Sequence, residues 1–235
     1  MTKVETKFAG QSLGDKIAYH TVRTIVTVFC RTWCRMQIEG RDNFPTTGPF
    51  ILAPTHRSII DTPVSSGVYT KRMRFMGADK WWSNKHFGRL LTALGGFPVS
   101  RGTADREALK RCIAVIEGGE PLVMFPEGER KSGPVVQPLY EGAAYIAMKT
   151  GAPIVPVGIG GSERAMPKGA KFIYPRKMYV IVGTPLTIAP AATPKDQRDA
   201  SRALTAELHT ELQRLFDLAQ KRAGGGASPA QAPSK

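Results

Sequence analysis

The chain has 235 residues, 42% of them hydrophobic, and carries a formal net charge of +14. That length and apolar content suit one large globular domain or two small ones with a buried core, and argue against a disordered or fibrous chain. The charge favours polyanions: lipid headgroups, nucleotide cofactors, nucleic acid or an acidic carrier protein.

Residues 1–10 read as loose, and no uninterrupted apolar run after the basic N-terminus resembles a signal-peptide h-region, so a cleaved signal peptide is not expected. From 13 to 36 the pattern predicts an amphipathic helix. Leu13, Ile17, Ile25, Val26, Phe29 and Trp33 carry its apolar character, and Lys16, Arg23, Arg31 and Arg35 its charge. Such a helix either sinks into a membrane interface or packs on the core. Cys30, Cys34 and Cys112 form no disulfide framework and no Cys/His cluster. Reduced thiols, a cytosol-facing protein and no metal site are therefore expected. No run approaches the roughly 20 apolar residues that span a bilayer.

Residues 50–53 read as a buried strand that runs into His56, with Asp61 five positions later. An imidazole steered by a carboxylate makes a good general base. On one straight helix five residues rotate by about 140°, which points the two side chains apart. They meet only if His56 lies in the strand-to-helix turn and Asp61 in the first helical turn. His20, His86 and His209 have no comparable partner.

Downstream, strands and helices alternate. A helix follows Asp61 with Pro63 in its first turn, then a strand over 73–76 and a helix over 85–94. Trp81-Trp82 lies between them, either touching lipid or with one ring packed and one exposed. Gly95-Gly96 precedes an extended piece over 97–100 that ends at Arg101, whose guanidinium suits a phosphate. Thr103 caps a helix over 103–117, and Gly118-Gly119 ends it. A strand over 122–125 delivers the loop Phe125-Pro126-Glu127-Gly128-Glu129-Arg130. There Gly128 lets backbone N–H groups approach an anion, and Glu127 either accepts from a hydroxyl or orients Arg101 or Arg130. A helix over 142–149 is followed by a strand over 154–157, whose Pro156 suits a strand end or edge. After a strand over 178–182, Thr193-Pro194 opens a long helix with Ala200, Leu204, Leu208, Leu212 and Phe216 in register. The tail from Gly224 reads as disordered.

This order predicts an α/β fold: a mixed, mostly parallel sheet flanked by helices, with an N-terminal amphipathic helix. Three regions are expected: a membrane-interface helix region over 1–36, a main domain over 37–222 and a disordered tail over 223–235. In such sheets ligands gather at strand ends, where loops meet helix N-termini.

Four blocks occur in a fixed order: His56 to Asp61, Gly95 to Arg101, Phe125 to Arg130, and Ile154 to Val157. The ordered set resembles the glycerolipid acyltransferase family, typified by 1-acylglycerol-3-phosphate acyltransferases, over residues 35–220. The resemblance implies transfer of a fatty acyl group from acyl-CoA or acyl carrier protein to glycerol-3-phosphate or a lysophospholipid such as lysophosphatidate. It implies His56 as general base and Asp61 as its orienting acid, with no covalent intermediate. It places Lys80, Arg101, Glu127, Gly128 and Arg130 at the phosphate-bearing acceptor. No cofactor beyond the acyl donor is implied.

The chain departs from the family pattern at Thr55, where asparagine is common, at Glu129, where threonine or serine is usual, and at Glu141, where lysine is common. The two added acids, Glu129 and Glu141, bear on the acceptor more than on the reaction, while Thr55 can still make one hydrogen bond. The expected setting is peripheral, on the cytoplasmic face of the cell membrane, against an anionic surface. Two alternatives share many of these features: a phospholipid transacylase, which uses no CoA, and a non-catalytic basic lipid binder. A nucleic-acid partner is not expected, because only 8% of residues are aromatic and no binding signature is present.

Overall fold

The computed structural model describes residues 12–99, 106–188 and 193–225. The expectations for residues 1–10, for the Thr103 cap and for most of the tail lie outside the described residues. Among those described, seven strands form one sheet: β1 (Gln37–Glu39), β2 (Ile51–Pro54), β3 (Arg74–Ala78), β4 (Gly96–Val99), β5 (Leu122–Val123), β6 (Ile154–Gly160) and β7 (Tyr179–Val182). Their order is β1-β7-β6-β2-β5-β3-β4. Every pairing is parallel except β6 with β7. The sheet is thus mixed and mostly parallel. The edge strand β1 is not in the sequence reading; three residues are too few for a period of two to show.

Helices cover both faces: α1 (Leu13–Trp33), α2 (Asp61–Val68), α3 (Lys85–Ala93), α4 (Arg106–Glu117), α5 (Gly142–Thr150), α6 (Ser162–Ala165) and α7 (Pro194–Arg222). Strand β2 shows how the layers form. Ile51 and Ala53 point into a core with Cys112, Ile116, Ala144, Leu208 and Phe216. Phe50 and Leu52 point the other way, into a core with Cys30, Val64 and Val68. Strands buried on both faces read as continuous apolar runs, and all seven residues of β6 are buried.

Pro156 lies inside the sheet, not at an end or edge, because β6 runs between β7 and β2. Its carbonyl accepts from Gly183 N–H at 2.9 Å on the β7 side, and the antiparallel ladder with β7 starts only at Val157. The missing N–H therefore falls where no ladder bond is needed. Further along, Gly158 and Gly160 let α7 lie directly on β6. A Cβ on either would sit within 2.4 Å of the Leu215 or Ala219 backbone.

Helix α1 opens with a Ser12/Asp15 capping box and has two faces. Tyr19 and Cys30 are buried, and Arg23 Nε donates to Ser66 O at 2.9 Å, tying α1 to α2. Leu13, Ile17, Ile25, Phe29 and Trp33 stay exposed along the opposite side. Packing against the core thus uses one face of α1 and leaves an apolar stripe uncovered. The two tryptophans divide as well. Trp82 packs over Gly77, Gly88 and Gly96 and donates to Thr92 Oγ1, while Trp81 is exposed. None of the three cysteines forms a disulfide among the described residues, and all three are buried. Desolvation, with Cys34 close by, pushes the Cys30 thiol up to about 11.

Candidate active site

Four neighbouring parallel strands, β2, β5, β3 and β4, all end on the same edge of the sheet. This edge gathers segments far apart in sequence. β2 leads to His56, β3 to Lys80 and β5 to the loop 125–130. β4 ends at Val99, two residues before Arg101, which lies outside the described residues.

The turn after β2 is built by hydrogen bonds. Thr55 N–H donates to Val157 O at 3.0 Å, and its hydroxyl accepts from Ile159 N–H at 3.0 Å. Thr55 thus pins the end of β2 to β6. Asp61 is the first residue of α2 and is fully buried. Its Oδ2 accepts from the backbone N–H groups of Arg57 and Ser58, each at 2.6 Å. The same oxygen lies 3.2 Å from His56 Nδ1. A carboxylate here is an acceptor only, so the proton belongs on Nδ1 and the lone pair on Nε2. Nε2 has no hydrogen bond among the described residues. The imidazole stacks on Phe125 with ring centroids 4.0 Å apart, and 12% of its side chain stays exposed.

Among the described residues Glu127 meets neither Arg130 nor open solvent, and the Arg101 alternative lies outside them. Glu127 is buried, and Arg57 Nη1 donates to its Oε2 at 2.6 Å. Oε2 also accepts from His56 N–H at 3.3 Å, and Oε1 from Gln137 N–H at 2.9 Å. Arg57, itself fully buried, requires a counter-charge, and Glu127 supplies it. Gly128 adopts φ 73°, which favours glycine, and its N–H closes a turn onto Phe125 O at 3.0 Å. The Tyr140 ring lies where a Cβ would be. The Gly128 amide is thus spent inside the loop.

Lys80 and Arg130 are exposed cations at the same sheet edge, Lys80 with its ammonium 5.5 Å from the Trp81 ring centroid. The two extra acids are each paired: Glu129 with Lys131 at 2.8 Å and Glu141 with Arg202 at 3.7 Å. Their negative charge is therefore largely offset locally. Two shallow depressions flank α7, and neither includes His56 or Asp61. Among the described residues no three His, Cys, Asp or Glu side chains converge as metal ligands would.

Sequence reasoning missed Arg57. The available signal was an arginine inside a turn that must be buried for His56 and Asp61 to meet. Buried arginines are almost always paired.

Residues 35–160 match the family model described as Acyltransferase. The chain belongs to the acyltransferase family. The acyltransferase is 30% identical to the 1-acyl-sn-glycerol-3-phosphate acyltransferase of Bacillus subtilis over 183 residues, 77% of this chain and 87% of that protein. It is 29% identical to the chloroplastic 1-acyl-sn-glycerol-3-phosphate acyltransferase BAT2 of Brassica napus, covering 59% of this chain but only 41% of the plant protein. The fold is similar to that of the crystal structure of the 1-acyl-sn-glycerophosphate acyltransferase PlsC from Thermotoga maritima. There the TM-score is 0.66 at 22% identity, over 88% of this chain and 85% of that one. The family makes this acyltransferase an O-acyltransferase.

Proposed function

We propose that this enzyme transfers a fatty acyl group from acyl-CoA or acyl carrier protein to the free hydroxyl of a phosphate-bearing glycerolipid, 1-acylglycerol-3-phosphate above all. The observation that carries the reading is His56 held through Nδ1 by buried Asp61, with Nε2 left open at the end of β2. Nε2 takes the proton of the acceptor hydroxyl as the oxygen attacks the thioester carbonyl. Asp61 supports the imidazolium that forms. The tetrahedral intermediate collapses, the C–S bond breaks, and the departing thiolate takes the proton back from His56. The acceptor oxygen is the nucleophile, so no side chain is acylated. Lys80 and Arg130, with Arg101, supply positive charge for the acceptor phosphate.

The test is to supply purified enzyme with acyl-CoA and lysophosphatidate. One free thiol per molecule of diacyl product is the expected result. Acyl exchange between phospholipids without CoA would replace this reading with a transacylase, and no acyl transfer from either donor type would sink it.

The setting proposed for this chemistry is the cytoplasmic face of the cell membrane. No helix among the described residues is long and apolar enough to cross a bilayer. Support for an interfacial seat comes from the uncovered stripe of α1, with Phe29 and Trp33 stacked 6.3 Å apart and Lys16, Arg31 and Arg35 exposed around it. Trp33 Nε1 donates to Ile173 O, which brings exposed Phe172 and Tyr174 to the same end of the helix. Exposed Trp81, Phe87 and Leu90 lie near Lys85 and Arg89 on α3, which packs beside α1. Apolar groups sink among acyl chains while cations meet lipid phosphates. Replacing Ile25 and Phe29 together by serine is expected to weaken binding to anionic vesicles by about 30-fold or more. Solution turnover on a short-chain acceptor should change little. Sedimentation with vesicles checks this, and unchanged binding would count against α1 as the seat.

A further inference from the structure

We propose that Arg57 and Glu127 act together as positioning residues for His56, rather than as contacts to substrate. The inference rests on the general-base reading of His56. Arg57 is fully buried, and its guanidinium has four hydrogen-bond acceptors around it. Nη1 donates to His56 O at 3.1 Å and to Glu127 Oε2, Nε donates to Gly133 O at 3.1 Å, and Nη2 donates to Val135 O at 3.0 Å. The guanidinium also lies over the Phe216 ring at 4.8 Å.

These bonds hold both peptide groups that flank His56. On one side, His56 N–H reaches Glu127. On the other, His56 O accepts from Arg57 and from Lys131 N–H at 2.9 Å. The imidazole therefore hangs from a backbone that cannot tilt without breaking charged hydrogen bonds. A small displacement of a reacting group costs up to about 100-fold in rate.

The clamp extends to α7 through the segment 133–136. Its carbonyls alternate: Gly133 and Val135 face Arg57, while Pro134 and Val136 face α7. Gln213 brackets the segment, donating to Pro134 O at 3.1 Å and accepting from Val136 N–H at 2.7 Å. His209 Nε2 lies 2.9 Å from Val136 O. The helix seated on the glycines of β6 thus fixes the segment that fixes Arg57.

Stability alone is a poor reason for such a pair. Buried ion pairs are often replaceable by apolar residues without loss of stability. A precise hold on the histidine gives the pair a role that apolar packing cannot fill.

The experiment compares Arg57→Lys, Glu127→Gln and Gln213→Ala with wild type and with His56→Ala. The readouts are kcat, KM for lysophosphatidate, melting temperature and the 15N NMR tautomer pattern of the His56 ring. Arg57→Lys and Glu127→Gln are expected to lower kcat by at least 30-fold, leave KM within threefold, and shift or broaden the His56 Nδ1–H signal. Gln213→Ala removes the outer brace, together with one bond within α7 to Asp217, and should fold normally, so it keeps the test sharp if the buried variants unfold. It is expected to lower kcat about fivefold at unchanged KM, with a smaller shift of the same signal. The proposal is overturned if Gln213→Ala leaves kcat and the imidazole signal unchanged. It is equally overturned if folded Arg57 or Glu127 variants lose activity through KM alone, or keep it. The His56→Ala arm separates the two readings. If that variant stays active, the general-base assignment is wrong; if it is dead while Gln213→Ala is normal, only the clamp is wrong.

Discussion

Replacing His56 by alanine is expected to lower kcat by about 10²–10⁴-fold, the usual contribution of a positioned general base. The fold should survive. The ring is still partly exposed, and its contacts are one stacking partner, Phe125, and one bond to Asp61. The backbone bonds of residue 56 to Glu127, Arg57 and Lys131 do not involve the ring. Binding of both substrates should persist, because the proposed phosphate contacts lie elsewhere. Steady-state assays on freshly folded protein, with circular dichroism alongside, check this. Activity within a factor of a few of wild type would remove His56 from the chemistry.

The second large effect is expected at Asp61, where two substitutions should part ways. Asp61→Asn keeps the size of the side chain and an oxygen for the Arg57 and Ser58 N–H groups. What it removes is the negative charge opposite the imidazolium formed during proton transfer. A loss of about 10²-fold or more in kcat, with little change in KM or melting temperature, is expected. Asp61→Ala leaves the donors that converge on Oδ2 without their acceptor. Each orphaned buried donor costs about 1–3 kcal/mol, so this variant should also melt several degrees lower. Equal stability of the two variants would show that Asp61 does not organise the turn. A fully active Asp61→Asn would show that its charge is not used.

The local geometry of the candidate site was legible in the sequence. An apolar run ending at His56, and an acid placed where the next helix begins, demanded a turn there; Asp61 is indeed the first residue of α2. The register of α7 was likewise visible, because Leu204, Leu208, Leu212 and Phe216 recur with the helical period and are all buried. The partner of Glu127 was not legible. The sequence reading offered Arg101 or Arg130, both near in the chain or in the motif order. The structure joins Glu127 to Arg57, a partner 70 residues away that the sequence reading did not offer. The two faces of α1 were similarly open, since an apolar stripe looks the same whether it meets protein or lipid.

The division follows from the range over which each force is specified. Side-chain periodicity, turn chemistry and helix starts are written within a few residues, so the sequence by itself determined most strands and helices and the residues brought to their ends, but not the short β1 and α6. Which strand neighbours which is decided by packing of the whole sheet. The order β6-β2-β5-β3 set β5 beside β2, and with it the loop of Glu127 beside the turn of His56 and Arg57. Only that tertiary adjacency let a buried arginine find its carboxylate and hold the histidine between them.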